Sequence, residues 1–438
     1  MSYAFPADLA EQVTARWSTF LSRHDSPAPP LPSIEDLRHI LETAFFASFA
    51  REEGRVLRFV LCVAPTTTVH RDGSEELVPV VPLQSPRPLG VESIRAIAPA
   101  VSPLNAAIVV RCPERGQPSG PSEIAGILNI GSDLARARTG RSFYHRPAPY
   151  ALIVDVRDAG EMHIYRSGIK LASVKTGRMQ DQLAFSGVEF LPLSEILTCG
   201  TDALRSRIRP PSHESPRETS DFEWTALLNT ILCIVNGVRE HSHGGAVLLV
   251  APGSEHTLPI RLKYDVHETS SHLADRFLAF LNTRHELTTA RLAGGLPGTT
   301  PEHESTLSHL LSATFVAEED LADAANLAAR LSAVDGALVL TSDLRILGFG
   351  AEIVLDAARP VAAFEDIGGT RRVDQWPVVD SESFGMRHRS ALRCVAVADR
   401  TASFVASQDG TVSVFWKQHG RVLLKRNVNT ANPNMIGA

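Results

Sequence analysis

The chain has 438 residues, more than a single hydrophobic core usually serves, so two domains are expected. Hydrophobic residues at 44% and charged residues at 21% are ordinary for globular proteins and supply real cores. A net charge of −6 excludes a broad nucleic-acid or membrane surface, which needs a basic face, so any phosphate ligand has to be met locally, in a pocket.

The N-terminus, MSYAFPADLAEQVTARW, lacks the basic start and apolar core of a signal peptide, and the apolar stretch Leu227–Val238 is too short to span a bilayer. Cys62, Cys112, Cys199, Cys233 and Cys394 are odd in number and form no CxxC pair, which argues against a disulfide framework or zinc knuckle and fits a reducing cytoplasm. A proline-rich break at 24–33 ends at Ser33-Ile34-Glu35-Asp36, which resembles a capping box and predicts a helix through roughly Arg51. Its apolar face includes Leu37, Ile40, Leu41, Ala44, Phe45 and Phe49. Short apolar runs then alternate with turn residues at 55–65, 76–83, 105–113, 124–131, 150–156 and 161–174, with a hairpin turn at Asp158-Ala159-Gly160. This pattern predicts an N-terminal α+β domain, residues 1–203, with a mostly antiparallel sheet.

Residues 204–221 carry proline, serine and charge with little that is apolar, and read as a linker before a second domain, 222–438. There a helix is expected over 223–239, strands at 244–250 and 258–266, and helices at 270–283, 303–316 and 318–332. The last runs into the strand DGALVL, 335–340. Further strands are expected at 344–355, 402–407 and 411–416, with a strand or short helix near 390–397. The result is a mixed sheet wrapped by helices.

Two motifs in this half carry chemistry. Asp335-Gly336-Ala337 puts a carboxylate at a strand start, a position that suits a divalent cation bridging phosphate oxygens, and a glycine that lets backbone approach a ligand. A plain Asp-Gly turn accounts for the same residues. Gly385-Met386-Arg387-His388-Arg389-Ser390 gathers phosphate donors around one turn, and a solvated basic loop is the plain reading. A third segment, Ser407-Gln408-Asp409-Gly410, adds an acid between two strands.

The order of DGALVL, RILGFGAEI (345–353), GMRHRSALR (385–393) and ASFVASQDGTVSVF (402–415) resembles the diadenylate cyclase (DAC) domain family over about residues 222–425. The resemblance implies a face-to-face assembly, a homo-oligomer through this domain, that condenses two ATP into cyclic di-AMP with Mg2+ or Mn2+. On that reading Asp335 and Asp409 hold the metal, and Arg387, His388 and Arg389 grip the phosphates. Gly336, Ala337, Gly385, Ser390 and Ser407 complete the nucleotide site. Met386 stands where the family has threonine, Gln408-Asp409 replaces a Glu-Glu pair, and the segment containing 358–376 is longer than in compact cyclases. These departures support an alternative: a catalytically silent sensor of a nucleotide or cyclic dinucleotide in a prokaryotic signalling or conflict system. The segments 37–59 and 148–177 resemble the predicted bacterial sensor proteins called DACNV.

Other features read more simply. His241 and His243 precede a strand as structural or exposed loop residues. The glycine-rich 294–300 lacks a P-loop ending and reads as a flexible insertion. Arg371-Arg372 reads as solvated loop and Arg51–Arg55 as a charged helix end.

Overall fold

The computed structural model describes residues 5–17, 31–64, 69–70, 77–78, 80–101, 105–112, 121–130, 150–166, 169–175, 177–179, 193–205, 207, 216–240, 244–266, 272–293, 301–355, 361–366, 376–408, 410–428 and 430. The fold is α+β, in two compact units; elements from Pro6 to Met179 form the first and those from Ser194 to Lys425 the second. Among the described residues no helix is long and apolar enough to cross a membrane.

In the first unit Ser33 caps the Ile34–Ala47 helix. Its hydroxyl accepts the Asp36 backbone N–H at 3.1 Å and donates to the Asp36 carboxylate at 2.6 Å. Leu37, Ile40, Leu41 and Ala44 are fully buried. The helix stops at Ala47, short of Arg51, so Phe49 leaves the expected core face and is 53% exposed. This helix and Pro6–Trp17 pack on the sheet. The sheet runs Arg178–Met179, Ile169–Lys175, Glu161–Arg166, Leu152–Asp158, Phe59–Ala64, Ala106–Arg111, Glu123–Asn129, Val80–Pro88. Among the described residues only the Phe59–Ala64 and Ala106–Arg111 pair of this sheet is parallel, in keeping with a mostly antiparallel sheet. The turn at Asp158–Gly160 joins two strands as its sequence predicts, and the run at 161–174 divides into two antiparallel strands instead of one.

The second unit starts ahead of the proline-rich stretch. Its Ser194–Arg205 helix buries Leu197 and Leu204 with Leu227 and Ile231, and the Ser342 hydroxyl donates to the Ile196 carbonyl at 2.7 Å. Residues 216–221, read as linker from composition, open the Pro216–Glu240 helix; proline is tolerated in a first turn because its missing N–H would have no acceptor there. One helix, Pro301–Leu331, replaces the two expected at 303–316 and 318–332, since no glycine or proline interrupts 302–331. It packs beside His272–Ala293.

The sheet of this unit is mixed. Its order is Ile260–Arg261, Ile346–Ile353, Ala337–Thr341, Gly245–Val250, Thr401–Ala406, Val412–Gln418, Arg421–Lys425, Ala363–Glu365, Val378–Val379, with Tyr264–Asp265 also on Ile346–Ile353. Gly245–Val250 and Ala337–Thr341 run parallel at its centre. Strand alternation gives the sheet two unlike faces. Val247, Leu249, Leu338, Leu340, Phe404 and Trp416 pack against the long helices. The opposite face carries Ala246, Leu248, Ala337, Ala351 and Ser403, and is partly covered by the Met386–Val397 helix through Ala391, Cys394 and Val395.

The five cysteines are free. Burial pushes the Cys62 and Cys394 thiols up to about 12 and the Cys112 thiol to about 11, whereas Cys199 is half-buried. Raised thiol values favour the folded state below an ordinary thiol pKa near 9.0 and lose that contribution as pH climbs toward 12. Native labelling with a thiol reagent at pH 8 is therefore expected to reach Cys199 well before Cys62 or Cys394, read by mass spectrometry of the peptides. The fall in melting temperature between pH 9 and 11 is expected to be shallower in Cys62→Ala than in the parent chain.

Candidate functional site

On the small-residue face of the second unit lies a cleft of about 230 Å³. Its floor is Ala246, Leu248, Ala337, Ala351 and Ser403, and its wall is the start of the Met386–Val397 helix, through Met386, Arg387, Ser390 and Ala391. Large side chains would let the helix pack flush on the strands. Alanine and serine at facing positions leave the gap.

At the mouth stand Asp335, Gly336, Lys263, Glu352 and Ile353. Gly336 has φ +124, and a Cβ on it would lie 2.4 Å from the Gly350 carbonyl carbon and 2.8 Å from the Ala351 nitrogen, so the 335–337 backbone passes against the neighbouring strand with no room for a side chain. This approach turns the chain out of the Pro301–Leu331 helix and leaves Asp335 exposed at the strand's entry. Lys263 Nζ donates to the Asp335 carbonyl at 3.4 Å and pairs with Glu352 at 3.3 Å. Arg261 donates to the other Glu352 oxygen, and these two cations, Arg261 foremost, hold the Glu352 carboxyl below the usual range. That pairing is present above the ordinary carboxylate pKa and is lost only as pH falls through the depressed one.

The wall helix divides the basic motif by its period. Gly385 is its N-cap in extended conformation, so the first-turn N–H groups have no intrahelical acceptor. Arg387 and Ser390 face the cleft with Ala391, at helical spacing. Arg387 also reaches over Gly244, where a Cβ would sit 2.9 Å from both Arg387 Nη1 and Ala406 O and 3.5 Å from Gln408 N. His388 points elsewhere: its ring stacks on Phe384 at 5.8 Å and meets Phe415 edge-on at 6.0 Å, with the Arg426 guanidinium over Phe384.

Of the residues expected in one site, the cleft brings together Asp335, Gly336, Ala337, Arg387 and Ser390. Gly385 caps the wall, while His388 and Arg389 do not line the cleft. Ser407 starts a turn on the far side of Arg387, its N–H donating to Thr411 O at 2.8 Å and its carbonyl accepting from Gly410 N. Asp409, the paired histidines at 241 and 243, the glycine-rich 294–300 and Arg371-Arg372 lie outside the described residues. Among the described residues no group of three or more His, Cys, Asp or Glu side chains is placed to hold a metal ion. Sequence reasoning missed Lys263, Glu352 and Ser403.

Residues 26–129, about a quarter of the chain, match the family model described as "Probable sensor domain DACNV". The match covers the Ile34–Ala47 helix and first-unit strands through Glu123–Asn129, and includes none of the residues that line the cleft. No curated protein matches the chain.

Because any side chain at 336 meets backbone and needs an unfavourable positive φ, Gly336→Ala is expected to destabilise the protein by about 2 kcal/mol or more, measured by urea unfolding.

Proposed function

We propose that the chain is a sensor whose second unit binds a nucleotide in this cleft, with the first unit as its regulatory domain, in a prokaryotic signalling or conflict system. The observation that carries this is the meeting of Asp335-Gly336-Ala337 and the Arg387-bearing helix start around one apolar-floored cleft. Such a cleft suits a ligand with one flat apolar part and one anionic part. Arg387 and Lys263 meet the phosphates at the start of the wall helix. Asp335 is one exposed carboxylate, too little for a standing metal site, yet it fits a magnesium or manganese ion that arrives with phosphate oxygens and keeps its waters. The match of the first unit to a sensor family supports the sensing role.

Support for binding over turnover comes from the His388 ring, which stacks on Phe384, meets Phe415 edge-on and does not line the cleft. The second reading, condensation of two ATP into cyclic di-AMP by a homo-oligomer, draws on the exposed Asp335 carboxylate at the open mouth, where a nucleotide on another copy has access.

ATP or cyclic di-AMP at a hundredfold excess over Kd is expected to stabilise the protein by about 2.7 kcal/mol, seen as a rise in melting temperature. Arg387→Ala is expected to abolish most of that rise. If no nucleotide in a panel with and without magnesium shifts the melting temperature, the nucleotide reading fails. Mass spectrometry of the ATP and magnesium incubation is expected to find no cyclic di-AMP; its appearance would move the protein to the second reading.

A further inference from the structure

The cleft holds one polar atom that the fold itself does not use. Ser403 is fully buried, and its hydroxyl has no hydrogen-bond partner among the described residues. Its strand neighbours on this face, Leu248 and Phe415 by register, are apolar. A buried hydroxyl without a partner carries a desolvation cost that alanine at the same position would avoid. Ser403 lines the cleft, so a molecule seated on the cleft floor is the partner its position offers.

Strand register fixes which part of a ligand that is. Asp335 and Gly336 enter the sheet just before Ala337, which pairs with Ala246, and Glu352 and Lys263 gather at the same end. Arg387 reaches Gly244, at the start of the same strand. Ser403 pairs with Leu248, two residues deeper, and lies two strands away from Ala337–Thr341, roughly 10 Å across the sheet. The charges cluster at one end and the Ser403 hydroxyl sits deeper, beside Leu248.

Resting on the nucleotide reading, we propose that Ser403 is the base-reading residue: the ring of the nucleotide lies on the alanine floor with one polar edge atom hydrogen-bonded to the Ser403 hydroxyl, while the phosphates stay at the mouth. Ser403→Ala tests it, with ATP and inorganic triphosphate as probes in calorimetry and the melting temperature of the unliganded protein as a control. The expected result is about tenfold weaker ATP binding, unchanged triphosphate binding, and an unliganded melting temperature equal to or above the parent's. Unchanged ATP affinity would overturn the assignment and leave the nucleotide reading standing. Equal loss for ATP and triphosphate would place the hydroxyl at the phosphates and overturn it too. A parent protein that binds triphosphate but gains nothing from the base refutes the floor as a ring site, and one that binds no nucleotide at all removes both readings.

Discussion

The central strands of the second unit are filled on one face by Val247, Leu249, Leu338, Leu340, Phe404 and Trp416 under the long helices, while the other face mixes Leu248, Val339, Val405 and Phe415 with Ala246, Ala337, Ala351 and Ser403. Burial of the first face supplies the driving force, because apolar area removed from water is what such a sheet gains by folding. The second face is buried at its large residues and leaves a cleft over its small ones. The Met386–Val397 helix seals only part of it, with Leu392, Val395 and Cys394 buried while Arg387 and Ser390 overhang a gap.

The overhang explains why one short basic motif serves two purposes. Successive helical residues point about 100° apart, so adjacent side chains cannot share a target. Arg387 goes to the cleft, and His388 goes to Phe384 and Phe415, where it fixes the helix on the sheet. A contiguous Arg-His-Arg string thus reads as three phosphate donors in one dimension, and in three divides into an arginine on the cleft and a ring packed on Phe384 and Phe415. The mouth has a matching economy: Lys263 ties the Asp335 carbonyl to Glu352, so the carboxylate of Asp335 is presented by a braced backbone.

Much of this was legible in the sequence, unevenly. The alternating runs announce the mostly antiparallel first sheet, and Ser33 with Asp36 announces its helix start, because period and capping are local properties. The Asp335 and Arg387 motifs stand out through residue type. Elements whose limits depend on tertiary packing were harder to place. Pro216 looks like linker and is a helix start, the Pro301–Leu331 helix has no internal break to divide it, and Ile260–Arg261 and Tyr264–Asp265 are two short pieces because both pair with one bent strand. Lys263, Glu352 and Ser403 join the site through sheet order alone, and nothing in their immediate sequence marks them.

The helix that delivers Asp335 is 31 residues long, Pro301–Leu331, which at 1.5 Å per residue makes a rod of roughly 46 Å. Only Ser332, Ala333 and Val334 separate its end from the carboxylate. For a rod of that length, packed along His272–Ala293, a tilt of about 5° at the Gly336 end corresponds to roughly 4 Å at the distant end, given that rise per residue.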